Sequence, residues 1–102
     1  MKEVRYEFSQ EKNKKLKEQR DVSFDLIIDY INRGYLLDTI RHHNQEKYEG
    51  QKFYVVDVDD YVYLVPFEER EEVIFLKTIF PSRKQTKKYI KDKQGKGDVS
   101  EK

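Results

Sequence analysis

The sequence of 102 residues has no cysteine and no tryptophan, one methionine, two prolines and two histidines. The lack of cysteine excludes disulfides, thiolate metal sites and thiol nucleophiles. The histidines, His42 and His43, are neighbours, and neighbouring side chains of a strand lie on opposite faces, so the pair cannot hold one metal ion without rearrangement. We therefore expect no structural zinc and no cofactor.

Long apolar stretches are also missing. Residues 1–15 are dense in charge and lack the apolar core of a signal peptide. The longest nearly apolar run, 61–67, is far shorter than the roughly 20 residues of a membrane-spanning helix. We expect a cytoplasmic protein without a membrane partner.

Charge and aromatic rings are abundant. Charged residues make up 40% of the chain and hydrophobic residues 36%, and eight tyrosines and six phenylalanines supply much of the apolar area. The net charge is only +1, which argues against global disorder. A chain of this length has room for one core. We expect one domain over 1–92 and a disordered tail over 93–102, where the composition offers nothing to bury.

Charge is unevenly distributed along the chain. Residues 1–20 hold seven basic and four acidic side chains, residues 21–82 hold six and thirteen, and residues 83–102 hold eight and three. Both ends are therefore basic and the middle is acidic. Chain ends often lie close together, and joined basic ends would form a phosphate-binding patch. Alternatively, these side chains are simply solvated.

Periodicity and capping residues predict the elements of the N-terminal half. Residues 3–8 alternate between charged and apolar side chains, which is typical of an edge strand. Ser9 suits the start of a helix over 10–20. Ser23 caps the clearest helix, and Gly34 suits its end. Four apolar side chains at helical spacing should pack this helix on a sheet, namely Phe24, Ile27, Ile28 and Ile31.

Aromatic and β-branched residues predict strands in the C-terminal half. After an extended segment over 35–43, two strands should flank a two-residue hairpin turn at Asp59 and Asp60, because aspartate tolerates positive φ. The remaining predictions are strands over 52–58 and 61–67, an acidic turn over 68–72, a strand over 73–80 ended by Pro81, and a basic helix over 83–92 capped by Ser82 and docked through Tyr89 and Ile90. The predicted fold class is α+β, in which an N-terminal edge strand and a three-stranded meander form an antiparallel sheet, with two N-terminal helices and one basic C-terminal helix.

Four short motifs occur in a defined order between residues 6 and 89. They are Phe8-Ser9-Gln10-Glu11-Lys12-Asn13, Val22-Ser23-Phe24, Glu46-Lys47-Tyr48 and Ile79-Phe80-Pro81-Ser82-Arg83-Lys84. Together they resemble the BrnT family of toxins, RelE-like ribonucleases of bacterial type II toxin–antitoxin pairs. The chain differs from that family at three places, where it has Ser9-Gln10, Arg20-Asp21 and Pro81.

The resemblance implies a RelE-like fold and an RNA endonuclease that works without a metal ion and inhibits translation and growth. It also implies a cognate antitoxin, typically a ribbon-helix-helix DNA-binding protein encoded by a neighbouring gene. In such cleavage the ribose 2′-oxygen attacks the adjacent phosphorus. The protein must help remove the 2′ proton, stabilise the phosphoryl charge and protonate the leaving 5′-oxygen.

Four residues are candidates for this chemistry. Arg83 matches the family's Ser-Arg motif and is the expected phosphate clamp, because a guanidinium offers a planar fork. Lys77 is the one charge inside the predicted strand 73–80, where it either extends to the sheet edge or faces the site. His42 or His43 would transfer protons if either faces the site, although the end of a polar strand is also an ordinary place for histidine.

Five further residues are candidates for RNA contacts, namely Lys12, Arg20, Lys84, Lys87 and Tyr89. Tyr89 either stacks on a base or docks the last helix on the sheet. Two other classes of function stay open. The chain is either a non-catalytic module that binds nucleic acid or a protein, or a structural or regulatory protein whose charges serve solubility alone.

Overall fold

The computed structural model describes residues 5–41, 46–47 and 51–91. His42, His43 and the predicted tail 93–102 lie outside these ranges. The described strands are β1 (Arg5–Phe8), β2 (Leu36–Arg41), β3 (Lys52–Val58), β4 (Tyr61–Arg70), β5 (Val73–Leu76) and β6 (Phe80–Pro81). The helices are α1 (Gln10–Arg20), α2 (Phe24–Asn32) and α3 (Arg83–Thr86), which a π-helical turn extends over Lys87–Lys91. The chain is therefore α+β, as predicted.

The sheet has the strand order β1-β5-β4-β3-β2, and β6 pairs with β4 beyond the end of β5. The antiparallel pairs are β2–β3, β3–β4, β4–β5 and β4–β6. The N-terminal strand lies at an edge, as predicted, but it pairs with β5 in parallel, with Arg5 opposite Val73. This corrects the purely antiparallel prediction. The predicted three-stranded meander also has a fourth strand, because β2 pairs with β3 at the opposite edge of the sheet. A parallel neighbour requires a long crossover connection, and the whole chain between β1 and β5 supplies it.

The β3–β4 hairpin turns at Asp59 and Asp60, as predicted, with φ angles of 54° and 70°. The backbone N–H of Asp60 donates to Asp57 Oδ1 at 2.9 Å, which fixes the turn. The predicted acidic turn over 68–72 is wrong in its bounds, because β4 continues to Arg70 and the chain turns at residues 71–72. The ladder to β5 extends to the pair of Arg70 and Val73. Glu68, Glu69 and Arg70 are therefore strand residues.

The predicted strand over 73–80 is two strands with a break at residues 77–79. The backbone N–H of Lys77 donates to the carbonyl of Pro66 at 2.8 Å, and proline has no N–H to return a second bond. The ladder ends there, so Lys77 lies at the break and not inside a strand. The chain rejoins β4 at Phe80 and Pro81, hence Pro81 belongs to β6 and does not merely follow a strand.

Each face of the sheet carries its own apolar cluster. On one face, α2 packs through the four predicted residues. Phe24 and Ile27 are fully buried, and Ile28 and Ile31 are half-buried against the same cluster, which confirms the prediction. On the other face, Ile90 of the C-terminal segment packs with Val55, Val62 and Leu64. The sheet is therefore sandwiched between the N-terminal helices and the C-terminal segment.

The predicted C-terminal helix over 83–92 is α-helical only over its first turn. Ser82 caps it as predicted, since Ser82 Oγ accepts from the N–H of Gln85 at 3.1 Å. The π-helical turn that follows lets two consecutive residues reach the sheet, because Tyr89 donates to Asp38 Oδ2 and Ile90 is buried. Neighbouring side chains of an α-helix diverge by about 100°, and a wider turn reduces that angle.

Candidate nucleic-acid interface

A cleft of about 430 Å³ lies at the edge of β4, between the hairpin turn and the start of α3. We call it the Arg83 cleft. Its lining residues are Asp60, Tyr61, Arg83, Thr86 and Lys87. Two cations, a carboxylate, an aromatic ring and a hydroxyl thus meet at one place on the surface.

Hydrogen bonds between α3 and β4 hold the cleft together. The backbone N–H of Ser82 donates to the carbonyl of Val62 at 3.0 Å. Thr86 Oγ1 accepts from the N–H of Val62 at 2.8 Å and donates to the carbonyl of Ser82 at 2.7 Å. The first turn of α3 therefore replaces a neighbouring strand along this edge of β4, and it brings Arg83 beside the hairpin turn.

The charges in the cleft have no partner among the residues that the structure describes. Arg83, Lys87 and Asp60 are exposed, and within the described residues none of these side chains takes part in a hydrogen bond or an ion pair. Unpaired cations on a surface are available to a phosphate group, and a guanidinium can bind it with two hydrogen bonds. The cleft therefore has the chemistry of a phosphate-binding site.

An aromatic pair, Tyr61 and Tyr63, lies between the cleft and Arg20. The rings of Tyr61 and Tyr63 lie 5.8 Å apart at an interplanar angle of 66°. Burial, together with the nearby Tyr61 and Asp21, raises the pKa of the Tyr63 phenol, and the charge of Arg20 opposes this shift. Arg20 Nη1 also donates to the carbonyl of Ile79 at 2.6 Å. Arg20, a predicted RNA contact, therefore lies at the chain segment that leads into α3.

Lys77 is in a different environment from Arg83. Lys77 Nζ lies 3.3 Å from Glu68 Oε2, and Arg70 Nη2 lies 2.7 Å from Glu68 Oε1. Both hydrogen bonds lower the pKa of Glu68, and the bond from Arg70 has the larger effect. Lys77 is not among the residues that line the Arg83 cleft. The structure thus does not bring together these two predicted catalytic residues.

The remaining predicted RNA contacts divide into two groups. Lys12 and Lys84 are exposed on α1 and α3 and line neither of the two described clefts. Tyr89 donates to Asp38 Oδ2 at 2.7 Å, a bond that raises the pKa of Tyr89 and lowers that of Asp38. Tyr89 therefore docks the C-terminal segment on β2, which is the second of its two predicted roles.

Sequence reasoning did not assign Asp60, Tyr61 or Thr86 to a site. Asp60 and Tyr61 were interpreted only as parts of the hairpin, and Thr86 only as a helix residue. The spacing of Tyr61 and Tyr63 was the available signal, because alternate residues of a strand share a face. The meeting of β4 with α3 depends on long-range packing and leaves no local pattern.

The asparagine of the first motif, Asn13, has a structural role. Asn13 is 4% exposed, its Oδ1 accepts from the N–H of Phe24 at 2.7 Å, and its Nδ2 donates to Asp25 Oδ2 at 3.2 Å. It joins α1 to the first turn of α2. Ser23 completes that turn by accepting from the N–H of Leu26.

A second, smaller cleft of about 230 Å³ lies on the other side of the hairpin turn. Its lining residues are Tyr30, Arg33, Tyr35, Asp57, Asp59 and Asp60. The guanidinium of Arg33 lies 4.9 Å from the centre of the Tyr30 ring, and the Tyr30 hydroxyl donates to Asp59 Oδ1 at 2.9 Å. The cation and the aromatic ring are thus already engaged with groups of this chain.

The described ranges contain neither a group of metal-binding side chains nor a membrane-spanning helix. No three histidine, aspartate or glutamate side chains there are grouped so as to hold a metal ion. None of the helices in these ranges is long and apolar enough to cross a membrane. In comparisons with known proteins, no family model, no curated protein and no solved structure matches the chain.

Proposed function

We propose that this chain is a RelE-like toxin that cleaves RNA without a metal ion, and that the Arg83 cleft binds the substrate. One observation carries the proposal: Arg83 and Lys87, both exposed and without an ion pair among the described residues, line one cleft with the ring of Tyr61. Cations bind phosphates, and aromatic rings stack on unpaired bases. A cleft that combines both suits single-stranded RNA.

Electrostatic stabilisation is the contribution that these side chains can make. When the 2′-oxygen attacks phosphorus, negative charge grows on the phosphoryl oxygens. Arg83 offers a planar pair of donors to those oxygens, and Lys87 adds a second positive charge in the same cleft. Tyr61 would hold the adjacent base, which orients the backbone for attack.

The order of elements is in keeping with this proposal. The strand β1, two helices, the antiparallel strands β2 to β5, the two-residue strand β6 and a short basic helix follow one another. The resemblance to the BrnT family implies a strand, two helices, a meander and a basic helix in that order. The proposal includes its biological consequences. The toxin acts in the cytoplasm, and an antitoxin of the ribbon-helix-helix type neutralises it.

A second candidate is an RNA-binding module without cleavage. The ion pair of Lys77 with Glu68 favours it, because this predicted catalytic residue lies outside the Arg83 cleft. Such a module would bind RNA through Arg83 and Lys87 and leave it intact. Loss of binding with rising salt would be common to both candidates, so cleavage is the property that separates them.

A cleavage assay with Arg83 variants tests the proposal. Purified protein is incubated with single-stranded RNA in the presence of a chelator. We expect products ending in a 2′,3′-cyclic phosphate, and a loss of roughly a hundredfold to a thousandfold in rate for Arg83→Ala with an unchanged thermal midpoint. Arg70→Ala is the matched control, because Arg70 is exposed and pairs with Glu68 far along β4. Equal rates for Arg83→Ala and the parent would refute the assignment.

Arg83→Lys separates the two contributions of this side chain. Lysine keeps the charge but lacks the planar fork. We expect partial activity. Full activity would mean that Arg83 supplies a point charge only.

Induced expression in bacteria tests the biological part. We expect growth arrest that Arg83→Ala abolishes and that co-expression of the neighbouring gene product relieves. Normal growth at high soluble expression would favour the binding module.

A further inference from the structure

We propose that the carboxylate of Asp60 is the general base that takes the proton from the attacking 2′-hydroxyl of RNA. This inference rests on the proposed function, because it assigns a group to the same reaction in the same cleft. From the sequence, Asp60 is predicted to be a turn residue, and His42 or His43 is the candidate for proton transfer.

The lining of the Arg83 cleft leaves one proton acceptor. Arg83 and Lys87 are cations that donate hydrogen bonds and accept none. The hydroxyl of Thr86 is already used in both directions, since it accepts from Val62 and donates to Ser82. Tyr61 brings a phenol O–H, which has its own proton to donate. An ionised carboxylate only accepts, which leaves Asp60.

The hairpin turn fixes the backbone of Asp60, while its carboxylate has no hydrogen bond or ion pair among the described residues. The backbone N–H of Asp60 donates to Asp57 Oδ1 at 2.9 Å, and the backbone has a left-handed φ of 70°. The neighbouring Asp59 has the same charge, but its carboxylate accepts from the Tyr30 hydroxyl. Of the two described clefts, Asp59 lines the smaller one alone, whereas Asp60 lines both. Asp60 is therefore the carboxylate of the turn that borders the cations of the Arg83 cleft.

The reaction balances with this assignment. The 2′-oxygen forms a bond to phosphorus as its proton passes to the Asp60 carboxylate. The bond from phosphorus to the 5′-oxygen breaks, and that oxygen takes a proton from solvent. The products are a 2′,3′-cyclic phosphate and a 5′-hydroxyl, and the protonated Asp60 returns its proton to water.

Asp60→Asn tests this role without disturbing the turn, because asparagine adopts the left-handed conformation readily. A general base contributes about a hundredfold to ten-thousandfold to a rate, so we expect single-turnover cleavage to slow by at least about a hundredfold. RNA affinity should stay equal or rise, because a negative charge beside phosphate is removed. This combination is the opposite of Arg83→Ala, which should weaken both. Asp60→Glu, which keeps a carboxylate, should recover part of the rate.

Asp59→Asn is the matched control and should cleave at the parental rate. If Arg83→Ala is inactive but Asp60→Asn cleaves like the parent, Asp60 is not the base and the proposed function stands. If His42→Ala or His43→Ala abolishes cleavage while Asp60→Asn does not, the acceptor is that histidine. If the parent protein binds RNA but does not cleave it, the nuclease proposal fails and this inference fails with it.

Discussion

At the scale of single residues, buried polar side chains do more for this fold than surface charges do. Asn13 and Thr86 are the buried polar residues of the described chain, at 4% and 5% exposure. Each satisfies a backbone N–H that has no partner in a helix or sheet, that of Phe24 and that of Val62. An unpaired buried N–H costs about as much as a lost hydrogen bond, so both side chains are structural requirements.

Replacing Asn13 by alanine should lower the free energy of unfolding by about 1–3 kcal/mol, because the N–H of Phe24 would be buried without a partner. Equilibrium denaturation measures this effect. Lys12→Ala, at an exposed neighbouring position on the same helix, should change stability by less than about 0.5 kcal/mol. Equal stability of Asn13→Ala and the parent would show that α1 and α2 are not joined through this side chain.

At the scale of elements, helix α2 gives the most direct test of packing. Ile27 is fully buried, whereas Ile28 is half-buried against the same cluster. Ile27→Ala should therefore cost roughly 2–5 kcal/mol of unfolding free energy, and Ile28→Ala clearly less, because it removes fewer contacts and leaves a smaller cavity. Denaturation of the two variants compares the positions directly. A larger loss at Ile28 would contradict the orientation of the helix.

The attachment of the C-terminal segment should depend on pH. The bond from Tyr89 holds the pKa of Asp38 below its ordinary value of 3.8 and the pKa of Tyr89 above 10.0. A carboxyl group whose pKa is lowered in the folded state stabilises the fold at pH values above its ordinary pKa. This stabilisation is lost as the pH falls through the folded-state pKa. A phenol whose pKa is raised in the folded state stabilises the fold at pH values below its ordinary pKa. This stabilisation is lost as the pH rises through the folded-state pKa.

Tyr89→Phe should therefore be less stable than the parent at neutral pH, and the difference should shrink at an acidic pH below the folded-state pKa of Asp38, where that carboxyl is protonated. Denaturation at the two pH values measures this difference. Asp38→Asn keeps the shape of the residue and should remove the acid dependence of the comparison. A difference that persists unchanged in acid would show that Tyr89 acts through packing alone.

At the scale of the whole molecule, the fold brings parts of the two basic ends together. Arg20, at the end of α1, donates to Ile79, which lies shortly before the α3 residues Arg83 and Lys87. Arg20 thus lies beside the segment that leads into β6 and then into α3. This arrangement is in keeping with a nucleic-acid interface that draws on both ends of the chain.

RNA binding by this interface should depend steeply on salt. Each phosphate contact with single-stranded RNA adds about 0.7 to the slope of log affinity against log salt. Lys87→Ala should reduce that slope by about this amount, while Arg70→Ala, whose partner is Glu68, should leave it unchanged. Binding titrations at several salt concentrations measure the slopes. Equal slopes for Lys87→Ala and the parent would remove Lys87 from the interface.

Features that depend on neighbouring residues can be predicted from the sequence alone. Ser9, Ser23 and Ser82 each cap a helix as predicted, because a cap needs one side chain and the next turn of backbone. The hairpin at Asp59 and Asp60 follows from the tolerance of aspartate for positive φ, and the buried face of α2 follows from its apolar period.

Features that join distant residues depend on long-range packing and could not be predicted from the sequence. The parallel pairing of Arg5 with Val73, the break at Lys77 opposite Pro66 and the docking of Tyr89 on Asp38 link segments far apart in the chain. The Arg83 cleft is of this kind, because its lining comes from the hairpin turn and from the last helix. Local propensity does not encode such contacts, since they form only where two elements bury apolar surface together and share backbone hydrogen bonds.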